Sequence, residues 1–574
     1  MCYNQFKEMF KKFLNIKFLL VLIILIASFL RLYKLSVNPP SLFGDELDLG
    51  YQAYSILKTG KDYQGNFMPI HFHSLAEWRT PLYLYSAVPT VAIFGITPLG
   101  VRLPAAIFGI LSIYAIYLLS HELTKNKYLS LLSAFLLSVS PWHLQYSRAG
   151  FEVTEMLFLL ILGLFFFLKS LSNSKWLWLS VFCLVLTPWV YSTAKLFIPL
   201  LLVFIIIVWR KEILSMKKSD LVKSILVGLV IGLPIFLNTI FGGGTQRIGD
   251  ISVLNDVNME QVVGQGRELD RSVGTPPILS RLINNKFVFW IGEAKNNYLQ
   301  SFSNDFLFIK GDINLRQSIG MGELYLIEII PLLLGAAFFF FEKGRSGKIK
   351  SLMAFWLLAG VIPSAFTMGG GMHATRLILI LPPIIFFTSF GWVTLYRLIA
   401  QKFKSFFVAG VSILYVVCML FYFHEYYAVY PVTSAHWWHY GWGPAIAEIK
   451  SIDKNYDRVI ISMKGEPAWI FFAGYYQYDP TLWQKEFPIG RDTELSGFGK
   501  VSHTGKFYFG SPEESVKIYG LGKYIDSKIL YLANANEDGE NLILHPDKTP
   551  AGLKLIKAIP FPSGEPAFYL FSGI

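Results

Sequence analysis

Runs of about twenty apolar residues recur along this chain, and the loops between them carry lysine and arginine on every second turn. A run of that length with almost no charge is the length of a helix that crosses the hydrocarbon core of a bilayer. Eleven such runs can be read, centred near Leu25, Ile110, Phe135, Leu162, Leu184, Ile205, Leu229, Leu332, Leu357, Ile385 and Val416. Composition agrees. Of 574 residues, 53% are hydrophobic and 16% charged, against about 25% charged in a soluble domain. The net charge of +12 does not mark a nucleic-acid binder, because the basic residues are sorted between loops rather than gathered on one face. The three cysteines, Cys2, Cys183 and Cys418, cannot build a disulfide framework. Cys2 has no apolar stretch before it and does not read as a lipoprotein cysteine. The first apolar run lacks a small-residue cleavage site and reads as a retained helix rather than a signal peptide.

The basic loops fix an orientation. Lys7, Lys11, Lys12 and Lys17 precede the first run. Lys125 and Lys127, Lys169 and Lys175, Arg210 to Lys223, Lys343 to Lys350, and Arg397 to Lys404 follow on the same side. That side is cytoplasmic, and eleven crossings close without contradiction. The expected fold is therefore an all-α polytopic membrane domain over 1–425 with a small extracytoplasmic α/β domain over 426–574. Two long outer loops, about 36–98 and 241–323, share the outer face with that tail; loops of this length usually have a function. In the tail, Arg458–Ser462, Lys506–Phe509, Ile529–Leu532 and Ala567–Phe571 read as strands and Trp469–Tyr476 as a helix. No internal repeat and no low-complexity segment is seen.

The first outer loop reads Phe43-Gly44-Asp45-Glu46-Leu47-Asp48 and continues with helical spacing through Tyr51, Tyr54, Leu57 and Lys58. The spacing predicts a short amphipathic helix lying along the membrane surface. Its acidic start has two readings. Asp45 caps the helix and Asp48 complements its dipole, or a carboxylate stands at the water–lipid boundary as a general base. The segment Trp78-Arg79-Thr80-Pro81, followed by the apolar run Ser86–Gly95, predicts a second interfacial helix ahead of the span at about Leu99–Ser120.

Cations at outer helix ends run against the inward trend of positive charge, and an unsolvated cation in a membrane is costly. Arg31, Arg79, Arg102, Arg148, Lys195 and Arg376 are the cases. Each alone fits snorkelling or a phospholipid headgroup. Together, on short loops at one membrane face, they point to a phosphate site, which guanidinium groups suit by bidentate hydrogen bonding. Acid and cations together describe a reaction. A lipid phosphate leaves the anomeric carbon of a sugar while Arg and Lys stabilise its charge. Asp45 takes the proton of the incoming hydroxyl, and direct displacement inverts the centre. The outer face has no nucleoside phosphates, so the donor is expected to be lipid-borne.

With these residues in place, the chain resembles the protein O-mannosyltransferase superfamily of GT-C glycosyltransferases. The resemblance rests on Phe-Gly-Asp45-Glu46, Arg31-Leu32-Tyr33, Arg79-Thr80-Pro81-Leu82, Tyr146-Ser147-Arg148 and His373-Ala374-Thr375-Arg376-Leu377. Lys310-Gly311-Asp312-Ile313-Asn314-Leu315-Arg316 is similar to a segment of bacterial members, as is Gly465–Tyr476 in the tail. The resemblance implies a GT-C fold and a polyprenyl-phosphate-linked sugar donor. It implies that Asp45 is the catalytic carboxylate, with Glu46 supporting it or touching the acceptor, and that Arg148, Lys195 and Arg376 lie near the donor phosphate. Arg79 joins them among the phosphate candidates, and Asp312, Arg316 and His373 are loop or acceptor candidates. Asp312 with Arg316 also reads as a local turn with its ion pair. The second large loop is too short for the inserted β-trefoil of the eukaryotic enzymes, which leaves glycan, lipid and protein acceptors all open. The tail aromatics Trp469 to Tyr476 read as an acceptor surface or as core. Trp437-Trp438-His439 is similar to the Trp-Trp-Asp motif of oligosaccharyltransferases except at its third residue, and boundary aromatics normally anchor.

No His/Cys cluster has zinc spacing. His71 and His73, near Glu77, could hold a divalent cation or be solvated loop histidines. Gly242-Gly243-Gly244 lacks the Lys-Ser/Thr of a phosphate loop. Two other classes compete with the enzyme: a transporter or flippase of lipid-linked sugars, and a non-catalytic scaffold built on the tail. Transporters place charges at mid-bilayer and show repeats, and neither is seen here.

Overall fold

In a computed structural model of the chain, residues 15–74, 77–241, 249, 251–464, 466–486 and 503–574 are described, with the side chain of Glu77 excepted. Cys2, Lys7, Lys11, Lys12, Gly242-Gly243-Gly244 and Gly465 lie outside the described residues.

All eleven apolar centres fall on helices. Six helices among the described residues are long and apolar enough to cross a membrane: Pro98–Thr124, Val153–Ser170, Lys218–Phe241, Gly347–Ala365, Ala374–Leu398 and Gln401–Thr433. The other five centres lie in helices of 13–17 residues, including Ile16–Leu32, Lys127–Val139 and Ala194–Val208. The apolar windows of Lys218–Phe241 and Gln401–Thr433 are only 11% buried, so the solvent that suits these surfaces is hydrocarbon.

The chain divides into two compact units. One comprises Met1–Tyr33, Ala105–Ser147 and Glu152–Tyr422; the other comprises Lys34–Pro104, Arg148–Phe151 and Phe423–Ile574. The first outer loop and the C-terminal tail therefore share a unit.

In the first unit, the Ile329–Phe341 and Leu381–Leu398 helices approach until their backbones touch. A Cβ on Gly335 would sit 1.8 Å from the Phe387 carbonyl oxygen, and one on Gly391 would sit 1.8 Å from the Pro331 oxygen. Small residues at such a crossing let helices gain dispersion contact where lipid removes the hydrophobic drive. The Val153–Ser170 and Leu177–Val190 helices add a hydrogen bond, Ser180 Oγ to the Gly163 oxygen at 2.9 Å.

The second unit carries two sheets. Strands β1 (Phe72–Ser74) and β2 (Glu77–Arg79) form an antiparallel hairpin with Phe72 opposite Arg79. The tail holds β3 (Arg458–Ile461), β4 (His503–Thr504), β5 (Phe507–Phe509), β6 (Ile529–Asn534), β7 (Leu553–Pro560) and β8 (Pro566–Gly573) in the order β4-β5-β3-β6-β8-β7. β3 pairs parallel with both β5 and β6, and the remaining pairings are antiparallel. The four strands expected from sequence are β3, β5, β6 and β8, and the expected helix is Ala468–Tyr476. β4, a two-residue edge, and β7, whose lysines interrupt the apolar pattern, went unread.

Two expectations are corrected. The Gly44–Thr59 helix exists but is not packed as an amphipathic one. Leu47, Leu49, Tyr51, Ala53 and Ile56 are all buried, so both faces are covered. Tail residues cover it: Gly474 packs on Leu47 and the Trp483 ring meets Tyr51 edge-on at 5.6 Å. Sequence spacing had no access to that cover. The second correction concerns the tail aromatics: Trp438 is not a boundary anchor. It is fully buried, with the Phe43 ring edge-on at 5.2 Å, while Trp437 stays 46% exposed. Trp469, Ile470, Phe471 and Phe472 are likewise buried and form core.

Candidate functional site

The Gly44–Thr59 helix begins after Phe43, whose extended backbone makes the N-cap with no side-chain cap bond. Asp45 is therefore not a capping residue, which corrects the capping reading. Its carboxylate instead meets Arg79 of β2, with Nη2 to Oδ1 at 2.7 Å, and Arg79 Nη1 also reaches the Asp45 carbonyl at 3.4 Å. The Asp45 side chain is 41% exposed and that of Arg79 9%. The acid is open to solvent on one side and held by a guanidinium on the other.

The next two acids are sealed. Glu46 and Arg102 are both 0% exposed. Arg102 grips both Glu46 oxygens at 2.8 Å and donates to the carbonyls of Pro39 at 2.8 Å and Ser41 at 2.5 Å. Gly150 N–H adds a third donor to Glu46 at 2.6 Å, and the Trp438 ring lies 5.3 Å from the guanidinium carbon. A buried ion pair survives only with such complete hydrogen bonding. This geometry lets Glu46 support the helix start and leaves it no face for an acceptor.

Asp48, one turn on, is also buried. It accepts from Tyr63 Oη at 2.8 Å and from Ser74 Oγ of β1. Burial pushes its carboxyl up to about 6, while the Arg79 charge and the two hydroxyls pull it down.

Arg148, expected near a phosphate, is 1% exposed. Its Nε donates to Tyr426 Oη at 3.0 Å, Nη2 donates to the Asn38 carbonyl at 3.2 Å, and the Tyr426 and Tyr427 rings lie 5.1 and 5.5 Å from the guanidinium. Its segment also supplies the Gly150 N–H to Glu46, so the Asp45 and Arg148 motifs meet within this unit.

The other unit gathers three sequence motifs. Asp312 accepts from the Asn314 N–H at 2.7 Å and the Ala374 N–H at 2.8 Å, and the Tyr146 hydroxyl lies 3.1 Å away. Tyr146 in turn lies 2.8 Å from Gln317 Oε1 and accepts from Thr375 Oγ1 at 3.0 Å. Glu323 accepts from the Asp312 N–H at 3.1 Å. His373 Nδ1 stands 4.0 Å from the Asp312 carboxylate. Burial pushes the Asp312 carboxyl up to about 6, opposed by these donors and by the Arg376 charge, and burial beside Asp312 raises Glu323 as well. Arg376 Nη1 donates to Thr367 Oγ1 at 2.7 Å and the Met368 carbonyl at 3.2 Å. Arg316 is half-buried, its N–H bonded to Asn314 Oδ1 at 3.0 Å. Arg31 is buried and donates to the Ser138 carbonyl at 3.1 Å, with His143 Nδ1 2.7 Å from its Nη2. Lys195 lines an apolar groove of about 370 Å³ with Pro188, Pro199, Gly232 and Phe236.

Sequence reasoning missed Gln317, Glu323, Tyr63 and Ser74. Glu323 had a signal, an acid just ahead of an apolar run. The others are ordinary polar residues whose role comes from long-range contact. His71 is buried and His73 half-buried with its ring 2.9 Å from the Gln64 amide. Among the described residues, no group of three His, Cys, Asp or Glu side chains could hold a metal ion.

Residues 79–238 match the family described as dolichyl-phosphate-mannose-protein mannosyltransferase. No curated protein matches the chain. Among solved structures, ArnT from Cupriavidus metallidurans bound to undecaprenyl phosphate is similar at 10% identity and a TM-score of 0.51, covering 96% of this chain and 97% of that one. The archaeal oligosaccharyltransferase AglB from Archaeoglobus fulgidus is similar at 14% identity, a TM-score of 0.46, and 92% and 70% coverage. The mycobacterial arabinofuranosyltransferase AftD is similar at 12% identity, a TM-score of 0.41, and 97% and 41% coverage. The ArnT likeness gives the fold, and the family match covers 160 of the 574 residues.

Proposed function

We propose that the chain transfers a sugar from a polyprenyl-phosphate donor to an acceptor hydroxyl at the extracytoplasmic face of the plasma membrane. The reading takes the 426–574 tail as an extracytoplasmic domain and the N-terminus as cytoplasmic, with eleven crossings. Asp45 is the general base. It takes the proton from the acceptor hydroxyl as the oxygen attacks the anomeric carbon, the bond to the phosphate oxygen breaks, and the centre inverts. Arg79 fixes the orientation of the base, and Glu46 with Arg102 fixes the helix start that carries it. Arg148, Lys195 and Arg376 are the candidates for the donor phosphate, with Asp312, Arg316 and His373 the candidates for the acceptor side. The observation that carries the reading is that Asp45 alone, of three acids within one turn, keeps an open carboxylate. The similar ArnT structure holds undecaprenyl phosphate, which supports a carrier of that chemistry here.

The test is transfer of labelled sugar from a polyprenyl-phosphate donor by the full chain in nanodiscs. Asp45→Asn is expected to lower turnover at least about 100-fold, the span of general-base catalysis, with donor binding retained. Unchanged turnover defeats the reading, and movement of donor across the membrane without transfer supports a flippase.

A further inference from the structure

We propose that Asp48 is a positioning residue of this site, one that holds the hairpin strand carrying Arg79 and sets how tightly Arg79 grips Asp45. The inference rests on Asp45 being the base.

The geometry forms a closed circuit. Asp48 lies one helical turn after Asp45, so both side chains leave the same face of the Gly44–Thr59 helix. Its two oxygens reach in different directions. One accepts from Tyr63 Oη at 2.8 Å, on the loop that leaves the helix, and the other from Ser74 Oγ at the end of β1. β1 pairs with β2 in a fixed register, Ser74 opposite Glu77 and Phe72 opposite Arg79. Arg79 closes the circuit by returning to Asp45 at 2.7 Å. Gln52 on the same helix seconds the anchor, donating to the His73 carbonyl at 3.2 Å. The strand that aims Arg79 is thus fastened to the helix that carries the base. Removal of the Asp48 contact loosens the Arg79–Asp45 ion pair.

Charge adds a second link. The groups that face Asp48 are Arg79 from β2, Tyr63 from the loop, Ser74 from β1 and Asp45 from its own helix, and among them Arg79 acts on it most strongly. An ionised Asp48 shares the Arg79 cation, which leaves Asp45 a stronger base. A protonated Asp48 surrenders that cation to Asp45 and makes it a weaker base. Burial holds Asp48 near the pH where this exchange matters, at about 6.

The pH profile of kcat for the full chain in nanodiscs, with a polyprenyl-phosphate sugar donor, separates this role from a structural one. Wild type is expected to lose turnover below about pH 6. Asp48→Asn is expected to lower kcat about tenfold at neutral pH with an unchanged donor KM, and to move the acid limb to lower pH. Tyr63→Phe keeps the charge and removes one donor to the ionised form, so its limb moves to higher pH. This second variant decides the matter if Asp48→Asn does not fold. A wild-type profile in either folded variant overturns the positioning role. Asp45→Asn run alongside keeps the two ideas apart: its loss of transfer with unmoved limbs elsewhere rejects Asp48 alone, and its retained transfer rejects the base itself.

Discussion

Asp45, Glu46 and Asp48 share one turn of helix and one chemical type, yet burial gives them three different states. Asp45, at the start of its helix, keeps 41% of its side chain exposed while paired with Arg79. Glu46 is driven inward, where Arg102 and the Gly150 N–H donate to its carboxylate while the Pro39 and Ser41 carbonyls accept from Arg102. Asp48 is driven inward with only two hydroxyl donors, so its proton is held more tightly. The sequence made the acidic cluster visible but could not sort it, since sorting depends on Arg102, Gly150 and Ser74, which are distant along the chain. Asp312 repeats the theme. Its carboxyl sits at about 6 in the folded chain, above the ordinary 3.8, chiefly because of burial. The folded state therefore binds this proton more tightly than the unfolded state does. That stability is full below the ordinary value and is lost as pH rises through about 6, a difference on the order of 3 kcal/mol at about 1.4 kcal/mol per unit. In Asp312→Asn the fall in thermal midpoint between pH 4 and pH 6.5 is expected to be smaller than in wild type, as differential scanning fluorimetry of the purified protein would measure. An equal fall in both proteins removes Asp312 from the titrating set.

At the scale of elements, the apolar period told more than the motifs did. Every expected apolar centre lies in a helix, because a run without charge has no better conformation in lipid than one that satisfies its own backbone. The tail strands were readable where β-branched and aromatic residues ran together, as in Arg458–Ile461, and were lost where lysines broke the pattern, as in Leu553–Pro560. Helix contacts were not readable at all, since a glycine in an apolar run looks the same whether it meets a neighbour or lipid. Gly391 and Gly410 make the distinction testable. A side chain at Gly391 would collide with the Pro331 backbone, whereas nothing lies within 4 Å of a Cβ at Gly410. Gly391→Leu is expected to cost several kcal/mol, on the order of 3 or more, because backbone cannot yield as a side-chain end can. Gly410→Leu is expected to leave the thermal midpoint within about 2 °C of wild type, the response to a small ΔΔG. Equal effects at the two positions would mean that the Ile329–Phe341 and Leu381–Leu398 helices do not pack through Gly391.

For the whole molecule, the proposed orientation rests on the bias of lysine and arginine among the loops, and the structure adds the lipid-suited apolar surface of its long helices. The proposed orientation puts Lys343 to Lys350 in the cytoplasm and the 426–574 tail outside. The site chemistry depends on that assignment, because a lipid-borne donor is needed only where nucleotide sugars are absent. Two exposed serines test it: Ser346 in the basic loop and Ser527 in the turn before β6. In a chain with Cys2, Cys183 and Cys418 replaced, Ser527→Cys is expected to react with a membrane-impermeant maleimide on intact cells. Ser346→Cys is expected to react only after permeabilisation. Any odd change in the number of crossings between residues 346 and 527 places both on one side and abolishes the contrast, and an inverted chain reverses it. Either outcome would put Asp45 in reach of soluble nucleotide sugars or detach it from the tail's compartment, and the requirement for a polyprenyl-phosphate donor would lose its physical basis.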